Sequence, residues 1–241
     1  MSGTKTYKTG WVMEKEITYE EVITDHIKEI LNRHKNPTDV VEETKRFVYD
    51  ILGPSPDRGD MQYRYEHCIR VFENGRELAR AEGLPEEALS LACLLHDVGY
   101  RESDRFGGFR VHQITSAHIA RAYLELIDYD ERYREEMIAG IYRHNLTDKL
   151  PEDMTVFQMS VRDCDDIDRF DIIRIAETLG ECTHEKASAG MIESCNKAID
   201  HAKWLMGLKR GTKTAKERMN ALLSRRITLL EEVIAQAKKG F

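Results

Sequence analysis

The apolar residues of this chain recur at helical spacing almost everywhere, and nowhere with the strict alternation of a half-buried strand. Val40, Val41, Thr44, Phe47, Val48, Ile51 and Leu52 follow the i, i+3, i+4, i+7 rule. Ala187, Met191, Cys195, Ala198, Ile199, Ala202, Leu205 and Met206 do the same, as do Ala215, Met219, Leu222, Leu223, Leu230, Val233 and Ile234. This periodicity restricts the chain to an all-α architecture. Helices are expected over 18–34, 39–52, 61–82, 85–98, 113–127, 130–144, 154–179, 184–208 and 213–239. Thr18-x-x-Glu21 and Thr214-x-x-Glu217 read as capping boxes. Gly53, Gly83, Gly99 and Gly180 fall where helices should stop. Loops are expected at 53–60, 99–111 and 145–153, where Gly and Pro collect.

Composition narrows the class further. Hydrophobic residues are 41% and charged residues 33% of 241, enough apolar content for a folded core. The longest apolar run is about eight residues, Ala88 to Leu95, too short to span a bilayer. The first residues are polar, with Trp11 and Val12 as candidates to dock on the core. A soluble, cytoplasmic protein with no membrane partner is expected. The formal charge of -7 argues against nucleic acid as a partner. Five cysteines without a CxxC pair point to reduced thiols rather than disulfides or a thiolate zinc site.

The candidate chemistry lies in the middle of the chain. His96 and Asp97 are adjacent at the end of the apolar segment LACLLHDVG. A doublet alone means little in a chain with nine histidines. The context adds His67 in a preceding helix, His112 and His144 in following ones, and a run of acids at Asp163, Asp165, Asp166, Asp168 and Asp171. The 165/168/172 row is expected to continue the buried stripe formed by Val161, Ile172, Ile175, Ala176 and Leu179. A carboxylate placed there would need a partner or a metal. Imidazole with carboxylate suits a divalent first-row ion.

His67, His96-Asp97 and Asp165, in that order on successive helices, resemble the H…HD…D signature of the HD-domain metal-dependent phosphohydrolase superfamily. HCIRVFENGRELA is similar to the family's first-ligand helix. RDCDDID is similar to its last, whose second Asp is the ligand, with Asp168 as the second choice here. The resemblance covers roughly 60–180. It implies an HD-type helical bundle, with 1–59 packing on it and 181–241 as a C-terminal helical hairpin of the same globular unit. His112 and His144 fall where a subset of the family carries two further histidines. The implied ligand set is His67, His96, Asp97, His112, His144 and Asp165, holding one or two ions from Mn, Fe, Co, Ni, Mg or Zn. No Gly-Tyr-Pro element occurs, which sets aside the cyclic-dinucleotide branch.

The implied activity is hydrolysis of a phosphomonoester or nucleotide phosphoester, with His96 and Asp97 at the reacting centre and a small phosphorylated molecule as substrate. Arg101, Arg105 and Arg110 in the following loop are candidates to hold its phosphate, with Arg143 and Arg169 behind them. Two other readings stay open: an HD-type di-iron oxygenase, and a non-catalytic nucleotide-binding or regulatory module. Basic residues gather between Lys203 and Arg226 and are expected on a solvated face. The hairpin's apolar stripes cover the core or form a homodimer contact. His26, His34, His118, His184 and His201 are assigned surface or capping roles.

Overall fold

The computed structural model describes residues 16–54, 56, 59–145, 152–184 and 186–240. Among them the helices are α1 (Tyr19–Val22), α2 (Asp25–Arg33), α3 (Val40–Leu52), α4 (Gly59–Glu82), α5 (Glu86–Leu95), α6 (Tyr100–Ser103), α7 (His112–Leu126), α8 (Glu131–Arg143), α9 (Val156–Arg169), α10 (Ile172–Thr183), α11 (Ser188–Gly207) and α12 (Lys213–Ala237). No strand occurs among the described residues. Trp11, Val12 and most of the 145–153 loop lie outside them.

The centre of the fold is α5. Every residue from Ala88 to Leu95 is buried. Helices α3, α4, α8 and α9 pack around it, with α7 against α8. This all-round burial explains why the segment reads as a short apolar run rather than an amphipathic stripe. One large core extends from Val22 through Phe47, Leu91 and Tyr123 to Val161. Phe47 and Tyr123 stack in it with centroids 4.1 Å apart, and the Tyr123 hydroxyl lies 3.0 Å from the Thr44 hydroxyl. Two smaller clusters join the α11–α12 hairpin to the rest. Ile167 and Phe170 meet Ala202, Leu205, Met219 and Leu223, and Cys182 meets Cys195, Ile199 and Leu230.

Several boundaries differ from the sequence expectation, each for a local reason. The expected helix 18–34 is two helices. Thr18 does form the capping box with Glu21, but Thr24 then starts a second helix by accepting from the Ile27 amide. The expected helix 154–179 breaks at Asp171, whose carboxylate caps α10 through the Ile172 amide. Ile172 consequently faces solvent, 46% exposed, and does not continue the buried row. Ala176 is also exposed. The cap of α12 is Thr212, not Thr214. Gly53 and Gly83 do end helices with left-handed φ of 57° and 67°, but Gly180 lies inside α10. The 99–111 loop is largely helical, with α6 followed by 3-10 turns at Asp104–Phe106 and Phe109–Val111.

Gly99 shows why the chain can place a doublet at the end of α5. Its amide donates to the Ser116 hydroxyl at 2.9 Å, and its carbonyl accepts from the Thr115 hydroxyl at 2.8 Å. A Cβ there would meet the Ser116 amide nitrogen at 2.3 Å and the Thr115 carbonyl carbon at 2.4 Å. These are backbone atoms of α7, so only glycine fits. Gly99→Ala is expected to cost about 2–3 kcal/mol of stability, the upper part of the overpacking range. Urea unfolding followed by circular dichroism measures it. An unchanged midpoint would contradict this close approach.

Candidate metal centre

The C-terminal end of α5 supplies His96 and Asp97 in the turn that follows it. The first helical residue of α7 is His112, His144 caps the end of α8, His67 sits mid-helix in α4, and Asp165 sits in α9. All of these side chains are buried, none more than 7% exposed. They converge. His67 Nε2 lies 3.2 Å from His96 Nε2 and 3.1 Å from Asp165 Oδ1. His112 Nε2 lies 3.0 Å from His144 Nε2 and 3.2 Å from Asp97 Oδ1. Asp97 Oδ2 is 3.5 Å from His96 Nε2 and 3.7 Å from His67 Nε2. Asp97 therefore stands between two histidine pairs, one oxygen toward each.

The far side of each imidazole is tied down. His96 Nδ1 lies 2.7 Å from the Cys93 carbonyl oxygen, and His144 Nδ1 lies 2.6 Å from that of Ile141. His112 Nδ1 contacts the Phe109 carbonyl oxygen. His67 Nδ1 lies 2.7 Å from Asp168 Oδ2. A carbonyl or carboxylate can only accept, so each Nδ1 carries the proton. A neutral ring then turns a bare Nε2 lone pair inward. Lone pairs about 3 Å apart repel unless a cation lies between them. Asp97 Oδ1 is buried and accepts no hydrogen bond. The donor set therefore fits a divalent ion, and two overlapping groups of ligand atoms can hold one: His67, His96 and Asp165, and His96, Asp97 and His144.

The electrostatics agree. Burial lowers the His96 pKa to about 4, and it also lowers that of His112. Burial would raise Asp97, but His96, His112 and Arg64 outweigh it and hold the carboxyl well below the usual range. Burial likewise opposes ionisation of Asp165, and the bond from His67 together with Arg169 overcomes it. His67 goes the other way. Burial disfavours its charge, yet the bonds to Asp165 and Asp168 raise its pKa to about 9. Burial opposes charge on His144 as well, yet its bond to Asp97 raises its pKa.

The arginines fall in unexpected places. Arg101 packs against Gly53, whose Cβ would collide with its guanidinium. Arg105 pairs with Glu102 at 3.0 Å, and Arg110 is exposed. Arg143 bonds Gln158 and Asp153. Arg169 does reach the centre, 3.7 Å from Asp165 Oδ2. Sequence reasoning missed Arg64, which donates to Asp97 Oδ2 at 2.6 Å and lies 3.8 Å over the Tyr100 ring. Its position three residues before His67, on the same helix face, was the available signal. Arg70 bonds Asp168 at 2.6 Å and so stands behind His67. Asp168 thus supports His67 rather than joining the inward-facing donors. His34 is buried, not surface, between Glu43 at 2.8 Å and Asp50 at 3.1 Å.

Residues 64–173 match the family model of the HD domain, a span that contains all six side chains named above for the centre. A crystal structure of a predicted HD superfamily hydrolase from an uncultured Thermotogales bacterium shares the fold. Its TM-score is 0.53 at 19% identity, over 88% of this chain and 92% of that one. A search of curated proteins gave no match. Over residues 64–173 the chain is therefore similar to the HD domain. No described helix is long and apolar enough to cross a membrane.

Because His67 could ligate only when neutral, loading at pH 7 would have to displace its proton. His96, at about 4, has none to lose there. Metal affinity should therefore rise with pH up to about 9, the His67 value, and weaken below neutrality. Calorimetry of metal binding in buffers of different ionisation enthalpy should record proton release at pH 7. No proton release would contradict the His67 assignment.

Proposed function

We propose that this protein is a metal-dependent phosphohydrolase acting on a small phosphorylated substrate, a nucleotide or another phosphomonoester. The observation that carries the reading is the crowding of four Nε2 atoms around Asp97, whose Oδ1 accepts no hydrogen bond. A divalent ion in such a site supplies an activated water and neutralises phosphoryl oxygens. The protein's own groups do the rest. His96 and Asp97 belong to both the ligand set and the reacting centre. The peptide grip on Gly99 keeps the doublet in place. Arg64 and Arg169 flank the donors from α4 and α9, next to Asp97 and Asp165 respectively. Their guanidiniums are the groups best placed to hold a phosphate. Arg110, exposed and two residues before His112, stays a candidate.

The two histidine pairs sharing Asp97 favour a two-ion centre, and that same count keeps an HD-type di-iron oxygenase as the second reading. The purified protein, stripped and reloaded with Mn, Fe, Co, Ni, Mg or Zn in turn, is expected to release phosphate from nucleotides or simple phosphate esters. His96→Ala and Asp97→Ala should lose both metal and activity while keeping helical circular dichroism. Arg64→Ala should lower activity by about 10–100-fold, as expected for a lost charge-assisted contact of about 1.5–3 kcal/mol. Full metal retention in both doublet variants would overturn the proposal. Oxygen uptake by the iron form without phosphate release would favour the oxygenase.

A further inference from the structure

Helix α9 carries carboxylates on two opposite faces, and both faces are buried. At about 100° per residue, Asp165 and Asp168 sit about 60° apart on one side. Asp163 and Asp166 sit about 60° apart on the other, with the two pairs facing nearly opposite ways. The first pair meets the centre: Asp165 faces His67 and His96, and Asp168 bonds His67 and Arg70. The second pair has no part in the centre, yet Asp163 is 1% and Asp166 6% exposed. Two carboxylates are not buried cheaply without partners.

Their partners come from the turn between α11 and α12. The Arg210 side chain is 1% exposed. Its Nη1 donates to Asp163 Oδ1 at 3.2 Å and also to Asp166 Oδ2. The Gly211 amide donates to Asp163 Oδ2 at 2.7 Å. Arg162, also buried, lies 3.7 Å from Asp166. The backbone approach is independently tight. A Cβ on Gly211 would meet Met159 Cβ at 2.9 Å, the Val156 carbonyl oxygen at 3.1 Å and the Ser160 amide nitrogen at 3.3 Å. The turn is also anchored to α4, the helix that carries His67. The Thr214 amide donates to Glu82 at 2.7 Å, and Arg218 donates to Glu77 at 2.8 Å. Arg210 therefore does not belong to the solvated basic face expected from the sequence.

We propose that the Arg210–Gly211 turn is a positioning element for the metal centre: by clamping the back of α9 it sets the helix's rotation about its own axis, and so aims Asp165 at His67 and His96. This rests on the metal-centre reading above. The lever is short. A carboxylate about 5–6 Å from the helix axis moves by about 1 Å for each 10° of rotation. Ligation at about 2.0–2.3 Å tolerates little of that. The C-terminal hairpin is on this account part of the site's construction, although none of its described residues supplies a group to the site.

The test titrates Co2+ into metal-free full-length protein by calorimetry. Arg210→Met/Asp163→Asn removes the clamp while keeping local charge balanced. Gly211→Ala crowds the turn away from α9 and leaves the charges intact. Both are expected to bind Co2+ about 10–100-fold more weakly, the usual cost of losing groups that orient ligands. Arg218→Ala, which cuts an exposed hairpin contact to α4, should bind as the wild type does. Coupling is reciprocal, so Co2+ should slow hydrogen exchange of the Gly211 amide in the wild type. A purely structural turn predicts no such change.

Wild-type affinity in folded Gly211→Ala, with no change in exchange at Gly211, overturns the inference, and this holds even if the double variant fails to fold. Equal weakening in Arg218→Ala would also overturn it, by making any loss of hairpin docking sufficient. A wild type that binds no Co2+ is a separate failure. It removes the metal centre, and the inference with it.

Discussion

Four imidazoles turn Nε2 toward one another around a buried carboxylate, and most of the fold serves to hold them there. With every ring neutral these groups would separate, because their inward lone pairs and the unpartnered Asp97 oxygen repel. They stay because each ring is fixed from behind. Three are fixed by carbonyl oxygens three residues earlier in their own chain segments, and the fourth by Asp168. A His at the end of a helical turn, with Nδ1 turned back on its own turn, is a cheap way to aim Nε2 outward. The chain uses it at His96, His112 and His144.

The same centre explains the character of its scaffold. Helix α5 is buried on all sides because α3, α4, α8 and α9 all pack on it, and three of these, α4, α8 and α9, bring His67, His144 and Asp165 to its end. Gly99 lets α7 lie directly on the turn after the doublet, which places His112 across from Asp97. Helix α9 is buried on two opposite faces, with its outer pair of acids neutralised by Arg210 and Arg162. Three arginines, Arg64, Arg70 and Arg169, neutralise the inner acids from α4 and α9.

What could be read in the sequence followed from periodic or ordered signals. Helical spacing showed the all-α class, and the order His67, His96-Asp97, Asp165 pointed to the family now matched over 64–173. What could not be read was local or long-range. Thr24 and Asp171 break helices inside continuous apolar patterns, because one side-chain cap outweighs a weak propensity trend. Arg101 and Arg105 follow the doublet closely in sequence, but α6 turns them toward Gly53 and Glu102. Arg64 precedes the whole motif, yet it is the arginine that bonds Asp97. Arg210 looked like one more basic residue in a charged hairpin. Its partners are more than forty positions away, a pairing no spacing rule contains.

The most direct measurement is the anomalous scattering of crystals grown with Mn2+ or Fe2+. The account predicts one or two anomalous peaks within about 2.0–2.3 Å of His67 and His96 Nε2 and of the Asp97 and Asp165 carboxylates. The second peak, if present, should lie on the His112 and His144 side of Asp97. Ordered side chains at these positions with no peak among them, or with metal bound only elsewhere on the protein, would contradict it.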